Sequence, residues 1–376
     1  MGVKNMLTKF SVENYKNFKE PITLDFSATH DYKFNNNCIK NGLLSKVVIY
    51  GPNSSGKTNF GFALFDIVGV LTDKQTDNMQ RDEGTFINAD SDLTEAKFTY
   101  VFKNNAETIV YEYRKSSPSR ITYEALEIDG ETIYSYDFAT KERNFRHMDI
   151  VFAENLNFEY FENNFAILRY IANNTIQPED SCVKFIMSFV SHMLWFRSLQ
   201  GNGYIGLTTG SEILEPWIAM NKLDKEFQHF LKKLANLDFD LGIAYSDNQL
   251  PILVERHKNA SFVFNGIASS GTKALELLFY WSRRFNEVSF LFMDEFDAFY
   301  HFDLAKNVLK YIVNLDNVQA AFTTHNSYLA SNDILRPDCY FVLNHGRLTS
   351  FVDSTDREIR EGHNLEKLLR NGEFDG

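Results

Sequence analysis

Cysteine is scarce in this chain: Cys38, Cys182 and Cys339 are three among 376 residues, far apart and without a C-x-x-C pair. An odd, scattered set argues against a disulfide framework or a thiolate zinc site and fits a reducing cytoplasm. Long apolar runs are missing as well. No stretch of about eighteen apolar residues occurs, so no membrane span and no membrane partner are expected. The first residues lack the apolar core of a signal peptide. Positive charge is in deficit, with 38 Lys and Arg against 50 Asp and Glu and a net charge of −12. That balance argues against a protein that coats nucleic acid, because phosphate contacts need clustered cations. Lys232-Lys233 and Arg283-Arg284 are local basic pairs, and such pairs on helices are ordinarily solvated surface. No internal repeat is visible.

Core-forming residues are plentiful. Hydrophobic residues make up 44% of the chain, with 35 Phe and 18 Tyr, which excludes wholesale disorder. The length exceeds a typical domain and suggests one large α/β unit with an insertion, or two domains.

The most informative segment is Gly51-Pro52-Asn53-Ser54-Ser55-Gly56-Lys57-Thr58, entered by Val47-Val48-Ile49-Tyr50. This is G-x-x-x-x-G-K-[ST] in the context it requires: strand, glycine-bounded turn, helix. Such a turn aims backbone N–H groups at phosphate oxygens, and the helix start adds its positive dipole end. Lys57 reaches the β/γ-phosphates and the Thr58 hydroxyl binds Mg²⁺ in this pattern. The chain is therefore expected to bind ATP with Mg²⁺.

Phe290-Leu291-Phe292-Met293-Asp294-Glu295 reads as a short buried parallel strand carrying two acids at its carboxyl end. Asp294 suits a Mg²⁺ carboxylate, and Glu295 suits the base that orients the attacking water. Ala268-Ser269-Ser270-Gly271-Thr272 precedes a strongly apolar stretch and offers free N–H groups at a helix start. Taken alone, it is better explained as an ordinary Ser N-cap. Ala320-Ala321-Phe322-Thr323-Thr324-His325 is a further short strand ending at a histidine that can reach a γ-phosphate.

Taken in order, the P-loop, the Ser-Ser-Gly turn, the Asp-Glu strand and the Thr-His strand resemble the ATPase head of the ABC class, in particular the SMC, RecF and OLD-like heads. The opening Phe10-Ser11-Val12-Glu13-Asn14-Tyr15-Lys16-Asn17-Phe18 is similar to the start of those heads. Asn364-Leu365-Glu366-Lys367 with Gly372-Glu373-Phe374 looks like the ending of compact bacterial "AAA family" ATPases of abortive-infection and anti-phage operons, such as PARIS-type AriA and the AbiL-type ATPase. The resemblance spans roughly residues 5–135 and 235–376.

By position, it implies that Gly51, Asn53, Ser54, Ser55, Gly56, Lys57, Thr58 and Asn59, with Lys16, hold the nucleotide. Thr58 and Asp294 would hold the metal, while Glu295 and His325 would be catalytic and Asp297 would lead the D-loop. Ser269, Ser270 and Gly271 would form a signature that completes the site of a second subunit. Ser270 departs from transporters, which carry Gly there. The Q-loop glutamine has no clear place; Gln75 and Gln80 are candidates, neither on a convincing strand end.

The expected architecture is α/β: a P-loop ABC-type ATPase head with a β-rich lobe I and an inserted short helical domain. Residues 1–150 would form lobe I, with antiparallel strands over Lys97–Phe102, Thr108–Arg114, Ile121–Ile128 and Thr132–Tyr136 and a turn at Asp129-Gly130. Residues 28–44 and 73–92 read as loops. Residues 151–236 would be the helical insertion, from helical spacing at Leu156, Phe158, Phe161, Phe165, Leu168 and Ile171, then Val183 to Leu199, and Ile213 to Leu234. Gly201 to Gly210 reads as a flexible link. Residues 237–376 would form lobe II. The insertion lacks sustained heptads and is far too short for a long coiled-coil arm.

The function expected is a cytoplasmic Mg²⁺-dependent ATPase with composite sites across a homodimer or higher oligomer. It would serve as sensor or scaffold of an anti-phage system and control a separate effector, a toxin or nuclease encoded nearby. Because the chain ends soon after the head, no appended nuclease domain is expected. The alternative is a RecF-like DNA-repair ATPase, and the acidic charge makes DNA the less favoured partner.

Overall fold

The computed structural model describes residues 6–74, 83–159, 165–199, 203–207 and 215–374. Alternating apolar residues build the first pair of strands. β1 (Met6–Glu13) and β2 (Ile22–Asp25) pair antiparallel and bury Phe10, Val12, Ile22 and Leu24. The region expected to be a plain loop over 28–44 holds a small hairpin, β3 (Ile39–Lys40) with β4 (Leu43–Leu44). β5 (Lys46–Tyr50) is buried at every position and runs through the P-loop into α1 (Lys57–Leu71).

Helix α1 is apolar on nearly all sides because it lies between two sheets. Phe60 meets Phe10 at 5.5 Å between ring centroids on one side, and Phe65 meets Trp195 at 5.4 Å on the other. The first sheet continues with β6 (Ala96–Asn104), β7 (Glu107–Ser117), β8 (Arg120–Ile128), β9 (Glu131–Asp137) and β10 (Arg143–Phe145). Its order is β10-β9-β8-β7-β6-β1-β2, antiparallel throughout. Asp129 and Gly130 both take positive φ, 51° and 84°, as a type I′ hairpin requires.

Two buried carboxylates tie this sheet to its surroundings. Asp66 of α1 accepts from Lys115 at 2.8 Å and from Tyr113 at 2.9 Å. Glu124 accepts from the Ile167 and Leu168 amides at 2.6 and 2.9 Å, at the start of a helix, where a carboxylate is favoured. Burial pushes the Glu124 carboxyl above its ordinary range, against those hydrogen bonds.

The reading of 151–236 as helical needs correction. Among the described residues of this stretch the helices are α2 (Ile167–Asn174), α3 (Cys182–Ser191), α4 (Glu215–Met220) and α5 (Asp224–Ala235). Leu156 and Phe158 lie in irregular chain, and Phe161 lies outside the described residues. The helical pattern running to Leu199 stops at Ser191, because the next apolar residues are claimed by a sheet. β11 (Leu194–Arg197) pairs parallel with the strand that carries Asp294, and β12 (Gly203–Gly206) pairs antiparallel with β11. The stretch read as a flexible link thus contains a strand; the remainder of Gly201 to Gly210, apart from Leu207, lies outside the described residues. The single helix expected over Ile213 to Leu234 is divided between α4 and α5, with Lys222 at φ 56°.

The chain then forms a small sheet, β13 (Leu241–Tyr245), β14 (Pro251–Arg256) and β15 (Ser261–Val263). The one-turn helix α6 (Phe264–Ile267) leads to α7 (Ser270–Ser282), β16 (Phe290–Asp294), α8 (Phe302–Val313) and β17 (Gln319–Thr324). β18 (Tyr340–Asn344), β19 (Arg347–Ser350) and α9 (Leu365–Arg370) follow. The second sheet has the order β12-β11-β16-β17-β5-β18-β19. Its five inner strands are parallel, and both edges are antiparallel.

Because β5, β16 and β17 are neighbours running the same way, their carboxyl ends open on one edge, where ligands bind in sheets of this kind. The fold is mixed α/β, of P-loop ATPase type. Among the described residues no helix is long and apolar enough to cross a membrane.

Candidate nucleotide-binding site

The carboxyl edge of the parallel sheet holds a cleft of ≈ 420 Å³ lined by Asn17, Asn53, Ser54, Gly56, Lys57, Thr58, Asn59, Leu199, Glu295 and His325. Seven of these ten are motif residues from three separate strand ends, and Asn59 follows directly on the P-loop. The loop makes its turn through left-handed backbone at Ser54 (φ 64°) and Gly56 (φ 103°). A Cβ at Gly56 would lie 2.3 Å from the Asn17 side chain and 2.9 Å from Phe18, so only glycine fits.

Lys57 Nζ donates to the Gly51 carbonyl at 3.0 Å and the Pro52 carbonyl at 3.3 Å. It also forms a triangle with Glu295 Oε1 at 3.3 Å and His325 Nε2 at 2.9 Å; the His325–Glu295 side is 2.9 Å. Nε2 can accept from Lys57 or donate to Glu295, not both at once. Burial pulls the Lys57 ammonium down in spite of Glu295. The Glu295 carboxyl is pushed up by burial, yet its hydrogen bond from His325 and the Lys57 charge prevail and hold it below the usual range.

Thr58 Oγ1 donates to Asp294 Oδ2 at 2.9 Å, which joins the start of α1 to the end of β16. Burial raises the Asp294 carboxyl, opposed by hydrogen bonds from Thr323 and Thr58. Among the described residues no group of three or more His, Cys, Asp or Glu side chains could hold a metal alone. The Thr58 and Asp294 oxygens fit Mg²⁺, which takes one or two protein oxygens and completes its shell with phosphate and water.

Three contributors escaped the sequence reading. Thr323 Oγ1 donates to Asp294 Oδ1 at 2.7 Å and accepts from the Glu295 amide at 2.8 Å, so one hydroxyl sets both acids. That amide belongs to a residue held at φ 48°, a costly conformation for a non-glycine. Thr324 Oγ1 donates to Asp297 at 2.7 Å, and burial raises that carboxyl. Asn17 Nδ2 donates to the Ser55 carbonyl at 3.2 Å, and its Oδ1 accepts from Asn59 at 2.7 Å, pinning the P-loop from the β1 side. Asn17 stands within the opening segment Phe10 to Phe18, but nothing in its spacing points to the loop.

Other expected residues lie apart from the cleft. The Lys16 ammonium sits 5.7 Å from the ring centroids of Tyr15 and Phe62 and does not line the cleft. Ser269 caps α7, accepting from the Thr272 amide at 3.2 Å; Ser269 and Ser270 are exposed. A Cβ on Gly271 would meet the Phe299 carbonyl oxygen at 2.7 Å, so this glycine has a duty within its own subunit. Gln75 and Gln80 lie outside the described residues. β11 occupies the sheet position beside Asp294 and delivers Leu199 to the cleft.

A family profile described as "AAA domain, putative AbiEii toxin, Type IV TA system" matches residues 46–331. No curated protein matches the chain. Solved structures similar to it include the Smc head bound to the C-winged helix domain of ScpA, at 15% identity and TM-score 0.47, over 97% of this chain and 99% of that one. The SMC head domain from Thermotoga maritima shows 16% identity and TM-score 0.43 over 92% and 98%. A Pyrococcus furiosus Smc head bound to the C-terminal domain of ScpA shows 13% identity and TM-score 0.47 over 98% of each chain.

Proposed function

The chain belongs to that AAA-domain family, and on this premise we propose that it hydrolyses ATP with Mg²⁺ at the cleft between the P-loop, Glu295 and His325. The observation that carries the reading is the Lys57–Glu295–His325 triangle beside the Thr58–Asp294 pair. Bound phosphates would draw Lys57 away from the Gly51 and Pro52 carbonyls and from Glu295. Glu295 would then lose its neutralising cation and become basic enough to orient and deprotonate water. His325 Nε2, released from Lys57, would be free to donate to Glu295 or to the γ-phosphate. Mg²⁺ held by Thr58 and Asp294 would neutralise charge on the β/γ-oxygens.

The proposal extends to assembly. Ser269, Ser270 and Gly271 would complete the cleft of a second copy, so that ATP favours a homodimer or higher oligomer and hydrolysis releases it. Exposed Ser269 and Ser270 at a helix start outside the subunit's own cleft support this arrangement. The family description names a putative AbiEii toxin of a type IV TA system; the proposal makes this chain the cytoplasmic sensor or scaffold of an anti-phage system, with a separate toxin or nuclease as effector. A RecF-like DNA-repair ATPase is the second reading; the net charge of −12 weighs against it. Phosphate release from MgATP, compared with the Glu295→Gln variant, tests the central claim. Equal release by both proteins would remove Glu295 from the mechanism.

A further inference from the structure

A groove of ≈ 880 Å³, twice the nucleotide cleft, lies on the surface between α5, α8 and the end of α7. We infer that this groove docks an acidic amphipathic helix of a partner protein.

The floor is apolar. Phe230 lies tilted on Phe279 at 5.3 Å and 58° and meets Tyr311 edge-on at 5.9 Å and 87°. Rings set at steep angles to one another give a floor of apolar anchors rather than a row of parallel stacking faces, which suits side chains of a helix more than a nucleic-acid strand.

The rim inverts the charge of the molecule. On a chain of net charge −12, the groove is lined by Lys225, Lys233, Arg283, Lys310 and His229, with Glu226 as its one acid. Lys225 is engaged by Asp240 and Arg283 by Glu226. Lys233 and Lys310 form no ion pair among the described residues. Two uncommitted cations above an apolar floor complement a helix with Leu or Phe on one face and Glu or Asp on the other.

One of the groove's helices starts shortly after the acids Asp294 and Glu295, and another starts at the turn proposed to complete a second copy's cleft. Helix α7 begins at the Ser269 cap, and α8 begins at Phe302, shortly after Asp297. A docked helix would touch elements that change with ATP. That coupling rests on the ATPase reading, whereas the docking itself does not.

The test uses a fluorescein-labelled synthetic amphipathic peptide with Leu and Phe on one face and Glu on the other, titrated against the full chain without nucleotide. Controls are the same residues in permuted order and a single-stranded DNA oligonucleotide. The ordered peptide should bind about tenfold or more tightly than the permuted one. Binding should weaken about tenfold or more in Lys233→Glu/Lys310→Glu and stay unchanged in Lys19→Glu, a reversal at an exposed residue outside the groove. Circular dichroism of each variant separates lost docking from lost folding. Equal binding of both peptides, no binding of either, or tighter binding of the DNA would overturn the inference. Loss of ATP binding in Lys57→Ala leaves it untouched, so the two readings fail separately.

Discussion

Lys57 Nζ lies 3.3 Å from Glu295 Oε1, an ion pair that joins the P-loop to the strand end carrying the acids. Both side chains are largely buried, and the pair holds the base in check until something more anionic claims the lysine. Replacing Lys57 with Ala should weaken ATP binding by on the order of a hundredfold, about 3 kcal/mol, because among the described residues no other Lys or Arg lines the cleft to neutralise the β/γ-phosphates. Titration calorimetry with MgATP reads this directly. Unchanged affinity would place the nucleotide elsewhere.

Glu295→Gln keeps the shape of the side chain but cannot accept a proton. ATP and Mg²⁺ should remain bound, while turnover should drop by on the order of a hundredfold or more. The ATP-bound oligomer should accumulate, visible by light scattering. Wild-type turnover in this variant would shift the role of base to Asp297 or His325.

The Ser269-Ser270-Gly271 turn needs a probe that spares its own subunit. Gly271 is unsuitable, since any Cβ there meets the Phe299 carbonyl oxygen at 2.7 Å. Ser270 is exposed, and Ser270→Arg should leave ATP binding by one subunit intact while blocking ATP-dependent association and hydrolysis. Mixing it with Lys57→Ala gives dimers in which one composite site carries both lesions and the other neither. Partial recovery of hydrolysis is expected, and none in proven mixed dimers would make Ser269 a plain helix cap.

Asn17 is expected to matter although it belongs to no motif. Asn17→Ala removes the hydrogen bonds to Ser55 and Asn59, worth about 1 kcal/mol each. The P-loop should lose order, lowering ATP affinity about fivefold with a small drop in melting temperature. Affinity equal to wild type would show that the loop holds its shape without the β1 side.

Lys46 gives a pH signature. It is buried in β5, donates to the Leu315 and Val318 carbonyls at 3.0 and 2.6 Å, and burial pushes its ammonium down to about 8 from an ordinary 10.5. Between those values the unfolded chain holds a proton that the native one has shed, so stability rises with pH across the window and the cost is fully present below about 8. The gap corresponds to about 3 kcal/mol. Denaturant midpoints of Lys46→Met should lack this rise; parallel profiles of the two proteins would exclude Lys46 as its source.

The sequence by itself determined the chemistry at three strand ends. Gly51 to Thr58, Asp294-Glu295 and His325 at its strand end were legible because a P-loop needs fixed residues at fixed spacing, and a buried parallel strand is short, apolar and abruptly ended. The antiparallel strands from Ala96 to Asp137 were legible for a similar reason: one face packs on α1, so burial alternates with period two. Leu194-Trp195-Phe196 was read as the tail of a helix because an apolar run has the same composition in either state. Only the open edge of β16 made it a strand. Tertiary structure alone also brought Asn17 to Ser55, Thr323 to both Asp294 and Glu295, and Lys233 near Lys310 across an apolar floor. These residues lie tens of positions from their partners, and local periodicity carries no information about contacts at that separation.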